Sequence, residues 1–195
     1  MITKINDTDL NVLSHFTKGY NKEFYIREVQ RLIAASSRTA LITLDKLEKR
    51  GILESKIRGK IKLYSIRKTA ISREYFILAE QYKKIRFLEK NPVINEILGK
   101  VSESFASIAA IFGSYAKGTQ KEESDLDLFV VGKCDENKIN EIGHKYGIEI
   151  NIKKYPMNIF KKEMDSDPLI REVVENHVII NGIQEFVGGV VDWTR

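Results

Sequence analysis

The chain has 195 residues, a net charge of +5 and 43% hydrophobic residues, enough for one or two small domains with buried cores. No segment approaches 18 consecutive apolar residues, which excludes a membrane-spanning helix and predicts no membrane partner. The single cysteine, Cys134, excludes an intrachain disulfide, and the three histidines lack the spacing of metal ligands. The first residues carry no apolar run of a signal peptide, so we expect a cytoplasmic protein.

The charge is unevenly distributed along the chain. Residues 1–70 hold 15 Lys and Arg against seven Asp and Glu, whereas residues 71–195 hold 17 against 20. A basic first part favours a polyanionic partner, although an ordinary basic surface would give the same count.

Three short helices and a hairpin are predicted in the first third of the chain. Apolar spacing marks helices over about residues 10–18, 25–33 and 37–50, the last ending at Gly51. Ser36 and Ser37 are suitable N-cap residues for the third helix, which we expect to face the core with Leu41, Leu44 and Leu47. Residues 52–66 form two β-branched runs around Arg58-Gly59, a pattern typical of a hairpin.

This succession resembles a winged helix-turn-helix domain over residues 5–67. The resemblance implies that the third helix enters the major groove of double-stranded DNA and that the hairpin contacts phosphates. The candidate DNA-binding residues are Ser36, Ser37, Arg38 and Thr39 on the helix, and Lys56, Arg58, Lys60 and Lys62 on the hairpin. The alternative is a module that binds only protein.

One long helix is predicted over residues 70–90, ending before Asn91-Pro92. Its apolar residues are spaced alternately four and three apart: Ile71, Tyr75, Leu78, Tyr82 and Ile85. This stripe either packs on its own chain or forms the seam of a homodimer. We therefore divide the chain into a winged helix-turn-helix domain (1–68), a connecting helix (69–92) and a third segment (93–195).

Strands and helices alternate from residue 93 onward. Strands are predicted at 108–112, 126–131, 148–155 and 177–181, with helices at 94–103 and 136–146 and two more around Asp167-Pro168. The expected fold class is α+β, with the N-terminal helices and wing followed by a mixed sheet covered by helices.

The segment FGSYAKGTQKEESDLDLFVVG, residues 112–132, is the most informative part of the sequence. Ten residues separate Gly113-Ser114, at the end of one strand, from Asp125-Leu126-Asp127, at the start of the next. This spacing resembles the signature of DNA polymerase β-like nucleotidyltransferases. It is similar in particular to minimal nucleotidyltransferases, which include antitoxins paired with HEPN-domain toxins.

The residue types suit transfer of a nucleotide. Asp125 and Asp127 lie two apart on a strand, so both carboxylates face one side and can hold Mg²⁺ or Mn²⁺. Gly113 permits a turn close to a phosphate, and Ser114 can donate its hydroxyl and its backbone N–H to an NTP, with ATP expected. Lys117 adds positive charge, although the resemblance does not require it.

The resemblance also implies a third carboxylate on a later strand, as metal ligand and as base for the attacking hydroxyl. Period-two alternation puts Glu149 and Asn151 on the same face of strand 148–155. We predict that Glu149 completes the catalytic and metal-binding set with Asp125 and Asp127. If Asn151 occupies that position instead, the site lacks its base.

Three functions follow from these patterns. The first is an enzyme, a metal-dependent nucleotidyltransferase with an unknown acceptor. The second is a DNA-binding regulator whose second domain binds nucleotide without catalysis. The third is an antitoxin-like protein that modifies a HEPN-type toxin or another protein and represses its own operon, a hypothesis that rests on fold analogy alone.

Overall fold

The computed structural model describes residues 4–193 and divides into two compact units. One unit contains residues 4–82 with residues 191–193, and the other is Lys83–Val190. The division lies inside the long helix, between Tyr82 and Lys83, and not at the predicted boundaries 68 and 92. No helix within residues 4–193 is both long enough and apolar enough to span a bilayer.

The first unit is built from helices and a small sheet, in the order α1 (Asp7–Phe16), β1 (Phe24–Tyr25), α2 (Ile26–Leu32), α3 (Ser37–Lys49), β2 (Leu53–Arg58) and β3 (Ile61–Ile66). The three antiparallel strands lie in the order β1-β3-β2. Gly59, with a φ of +63°, lies in the turn between β2 and β3. This is the predicted winged helix-turn-helix, with β1 as an additional short strand.

Helix α3 is capped by a serine and buries one apolar face. The Ser36 hydroxyl caps it by accepting a hydrogen bond from the backbone N–H of Thr39 at 3.0 Å. Ala40, Leu44 and Leu47 are fully buried, but Leu41 is 39% exposed. The prediction that Leu41 faces the core was wrong, because the 3.6-residue repeat through 40, 44 and 47 leaves position 41 to one side of the buried face.

Helix α4 (Ala70–Lys90) has the predicted extent. The stripe at alternate spacings of four and three is largely outside the core, with Ile71 53%, Leu78 40% and Ile85 47% exposed. The buried side of α4 carries other residues, namely Ser72, Phe76, Ala79, Glu80 and Phe87. The three aliphatic residues of the stripe therefore do not serve as the core-facing side of the helix.

The second unit continues with α5 (Pro92–Val101), a 3₁₀ turn (Ser102–Ser104), β4 (Ile108–Ile111), α6 (Gly113–Lys117), β5 (Leu126–Val131), α7 (Glu136–Lys145), β6 (Ile150–Tyr155), α8 (Met157–Lys162), α9 (Pro168–Glu175), β7 (Val178–Asn181) and α10 (Ile183–Val190). The sheet is mixed, with strand order β6-β5-β4-β7. Strand β5 runs parallel to β6, and β4 runs antiparallel to both of its neighbours.

Helices cover both faces of this sheet. On one face, Leu126, Leu128 and Val130 of β5 pack in a cluster with α5 and α7. On the other, Phe129 lies against Phe160 of α8 at a ring-centroid distance of 5.9 Å. The carboxylates and the glycine turn lie where β4 ends and β5 begins, at one end of the two central strands.

Candidate functional site

Gly113 and Asp127 are in close contact at this end of the sheet. The backbone N–H of Phe112 donates to the carbonyl of Asp127 at 3.1 Å, which brings the turn after β4 beside β5. Gly113 has a φ of +66°, and a Cβ there would lie 2.2 Å from Oδ2 of Asp127. Only glycine satisfies both the left-handed backbone and the close approach. The two halves of the sequence motif thus form one local structure.

Asp125 and Asp127 face the same side, as the strand periodicity predicts, while Leu126 and Leu128 are fully buried on the other. Partial burial raises the pKa of Asp127 above its ordinary value, and the negative charge of Asp125 raises it further. Hydrogen bonding by Asn151 acts in the opposite direction. Ionised carboxylates so close together repel each other, so the site favours a bound cation.

Asn151 occupies the position beside these carboxylates on the neighbouring strand. Parallel pairing sets Asp127 against Asn151, and the Asn151 amide donates to Oδ2 of Asp125 at 3.1 Å. Glu149 precedes β6, which begins at Ile150 and not at the predicted residue 148, and its side chain is exposed. The carbonyl of Glu149 accepts a hydrogen bond from Leu126 at 2.8 Å. This contact fixes the backbone of Glu149 beside Leu126.

Lys117 pairs with a carboxylate that sequence reasoning did not identify. Its Nζ lies 2.6 Å from Oε1 of Glu172 on α9, with the two side chains 42% and 38% exposed. Lys117 is three residues after Ser114 on α6, so both side chains lie on the same side of that short helix. Lys117 and Glu172 are 55 positions apart in the sequence, so no local sequence signal marks this pair.

Asp125 and Asp127 carry the hard oxygen ligands that a divalent cation such as Mg²⁺ prefers. Among residues 4–193, no group of three or more His, Cys, Asp or Glu side chains is arranged to hold a metal ion. Mg²⁺ commonly takes one or two protein carboxylates and completes its octahedron with phosphate oxygens and water. Asp125 and Asp127 provide such a pair, and the catalytic and metal-binding role of Glu149 stays a prediction.

The polar residues at the start of α3 have different surroundings. Ser36 is engaged in capping, and its hydroxyl also lies 2.8 Å from that of Thr39. The Ser37 hydroxyl donates to Gln30 at 2.6 Å, which ties α3 to α2. Arg38 is exposed. Of these four candidates, Arg38 carries the one positive charge.

The four candidate cations of the wing also differ. Lys56 pairs with Glu23, and Arg58 lies 3.7 Å from the same carboxylate. Lys62 lies 2.6 Å from Glu48, and that hydrogen bond raises its pKa. Lys60 is exposed beside Gly59 in the turn. Lys62 therefore braces the hairpin against α3, while Lys60 projects from the tip.

Residues 94–181 match the nucleotidyltransferase domain family. The chain is also 32% identical over 105 residues to a protein of Methanocaldococcus jannaschii named "Putative protein adenylyltransferase MJ1305", covering 46% of this chain and 70% of that protein. The chain belongs to the nucleotidyltransferase family. A second protein of that organism, "Putative protein adenylyltransferase MJ0604", is 36% identical over 59 residues, covering 28% of this chain and 59% of that protein.

A solved structure of TrmBL2, described as an archaeal chromatin protein with a novel mode of DNA binding, covers 89% of this chain and 71% of its own. Its sequence identity is 15% and its TM-score is 0.30, too low to support a conclusion about this chain.

The nucleotidyltransferase match includes the whole of the site described above. It contains Gly113, Ser114, both aspartates and Asn151, together with Glu172 on α9. Helix α10 follows the matched residues.

Proposed function

We propose that this protein transfers a nucleoside monophosphate from an NTP, ATP by expectation, to a hydroxyl group of a protein acceptor. The observation that carries the proposal is the contact between Gly113 and Asp127, which joins a phosphate-binding turn to the carboxylate pair. The names of the two relatives from M. jannaschii support a protein as acceptor and an adenylyl group as cargo.

Each residue of the site has a role in this reaction. Ser114 donates its hydroxyl and backbone N–H to the terminal phosphates, and Lys117 adds positive charge on the same side of α6. Asp125 and Asp127 would hold Mg²⁺ or Mn²⁺, and an ion held there would offset the charge that develops on the phosphate oxygens during transfer. The chain itself positions the triphosphate, and the absence of a side chain at Gly113 leaves room for the close approach of Asp127.

A second candidate function is nucleotide sensing without transfer. The observation that favours it is Asn151, because an amide beside Asp125 can ligate or hydrogen-bond but cannot accept a proton. In this case NTP binding would control the DNA-binding part of the protein.

The winged helix-turn-helix unit is proposed to bind double-stranded DNA. Arg38 at the start of α3 and Lys60 at the tip of the wing are both exposed. Lys56 and Arg58 would exchange Glu23 for phosphates. An antitoxin-like protein, with a HEPN-type toxin as acceptor and its own operon as target, combines both proposals.

Label transfer from α-³²P-labelled ATP and MgCl₂ to the proteins of a cleared cell lysate tests the enzyme. We expect a labelled acceptor band with the wild type and none with Asp125→Asn/Asp127→Asn. Calorimetry in parallel should show metal-dependent ATP binding that this double variant lacks. Unchanged ATP binding in the double variant would contradict the site assignment.

The same two measurements separate the enzyme from the sensor. Metal-dependent ATP binding without any labelled protein or released pyrophosphate would favour sensing. Asn158→Asp on α8 is a suitable control for an altered charge, because position 158 is exposed and lies outside the motif.

A further inference from the structure

The nucleotidyltransferase site has one carboxylate on β5, one immediately before that strand and an amide on β6, and these leave the proton acceptor unassigned. Asn151 lies against Asp125, where it cannot take a proton from a hydroxyl. Glu149 is exposed and ahead of the strand. A carboxylate from a different element could therefore serve as the proton acceptor if the protein is an enzyme.

Helix α9 brings such a carboxylate to the site. It leads into β7, whose first residue, Val178, is paired with Ile111, the last residue of β4 before the glycine turn. Glu172 on α9 contacts Lys117, three residues after Ser114. The negative charge of Glu172 is also among the causes that raise the pKa of Asp127. Both observations place Glu172 beside the motif.

The ion pair that holds Glu172 is easily exchanged. An exposed pair of this kind contributes little to stability, because solvent screens it and ordering two long side chains costs entropy. A triphosphate beside Ser114 carries several negative charges and would compete for the Lys117 ammonium. Binding of the nucleotide would thus release the carboxylate of Glu172.

We infer that Glu172 is the third carboxylate of the site, held by Lys117 in the empty protein and released by the triphosphate to take the proton of the acceptor hydroxyl. The hydroxyl oxygen bonds to the α-phosphorus, and the bond from that phosphorus to the bridging oxygen breaks. Pyrophosphate leaves with the electron pair of that bond, while the hydroxyl proton passes to Glu172. This inference rests on the proposed transferase function.

Separate measurements of ATP binding and label transfer in the full chain test this inference. Glu172→Gln should bind ATP with MgCl₂ equally well or up to about fivefold more tightly, because Lys117 is freed from its pair. Label transfer to lysate proteins should fall about 100-fold or more, as for the loss of a general base. Glu172→Asp should recover part of the transfer. Lys117→Met should weaken ATP binding about tenfold.

Glu175→Gln is the matched control, since Glu175 is an exposed residue on the same helix. It should leave both measurements unchanged. Transfer by Glu172→Gln within about twofold of the wild type would overturn the inference while leaving the proposed function intact, as would a loss of transfer confined to Glu149→Gln. A wild type that binds no ATP, or that binds it and transfers nothing, would overturn the proposed transferase and this inference with it.

Discussion

Asn151 donates a hydrogen bond to Asp125 across two parallel strands, with its Nδ2 at 3.1 Å from Oδ2 of the carboxylate. The pairing of Asp127 with Asn151 fixes the amide at this place, so the contact follows from the strand register. Through this hydrogen bond Asn151 provides the carboxylate pair with a neutral donor, whereas an acid at position 151 would add negative charge. A substitution at position 151 is therefore the most direct test of the geometry.

Replacing Asn151 by Asp should make the fold depend more strongly on a divalent cation. A third carboxylate beside Asp125 and Asp127 increases repulsion in the empty site and adds a hard oxygen ligand. We expect a lower melting temperature without metal and a larger stabilisation by MgCl₂ than in the wild type, by thermal shift. Asn158→Asp should behave like the wild type. Equal Mg²⁺ responses in all three proteins would place Asn151 outside the metal site.

Gly113→Ala should abolish nucleotide binding while costing little more stability than a comparable change nearby. Gly118→Ala is the matched control, because Gly118 has a similar φ, +69°, yet nothing lies within 4 Å of a Cβ there. Both variants pay about 1 kcal/mol for the left-handed backbone. Only Gly113→Ala must also displace Asp127. Calorimetry with ATP and MgCl₂ should show at least a tenfold loss in that variant alone, and equal losses in both would contradict this.

Asp127→Asn should raise the stability of the metal-free protein at neutral pH. The pKa of Asp127 is higher in the folded state than in the unfolded state. Ionisation of Asp127 therefore destabilises the folded protein as the pH rises from the unfolded-state pKa through the folded-state pKa. An amide avoids that cost. Because the side chain is partly exposed, we expect a rise in melting temperature of about 1–2 °C. The gain should shrink as the pH is lowered towards 4, and a lower melting temperature at pH 7 would refute the argument.

DNA binding should depend most on two exposed cations of the winged helix-turn-helix, Arg38 and Lys60. Lys60→Ala in the full chain should weaken binding to all duplexes and reduce the salt slope by about one. Arg38→Ala should change sequence preference more than general affinity. Lys145→Ala, which breaks an exposed pair with Glu141 on α7, serves as control. Fluorescence anisotropy at several salt concentrations measures these effects, and a lack of duplex binding at low salt would favour a protein-interaction module.

The exposed stripe on α4 predicts a homodimer. Ile71 and Leu78 are 53% and 40% exposed, so Ile71→Glu/Leu78→Glu should leave the fold intact and give a monomer. Val93→Glu, at a residue 46% exposed on α5, is the control. Light scattering with circular dichroism checks both points. A monomeric wild type at high concentration would end the proposal.

The sequence predicted most elements whose apolar periodicity extends over several turns or strand residues. Helix α4 was predicted in full, and β5 was bounded correctly by Asp125 and Gly132. The two-residue β1 was missed because it is too short for a periodic signal. Helix α10 was missed because Gly188 and Gly189 reduce its helical propensity.

The candidate site was predictable where its parts are close in sequence. The glycine turn and the two aspartates lie within one segment of 21 residues, so their spacing was enough to identify them as one motif. Alternation could not decide between Glu149 and Asn151, because the start of β6 depends on its pairing with Leu126. Glu172 reaches Lys117 through the packing of α9, which local sequence patterns do not encode.

The amide of Asn151 has an evolutionary consequence. Asparagine and aspartate codons differ by a single base, and their side chains differ in shape by almost nothing. A single point mutation could therefore place a carboxylate against Asp125 without disturbing β6 or its register. One base change would thus exchange a neutral donor for a potential metal ligand at the same backbone position, at the cost of added carboxylate repulsion whenever no cation is bound.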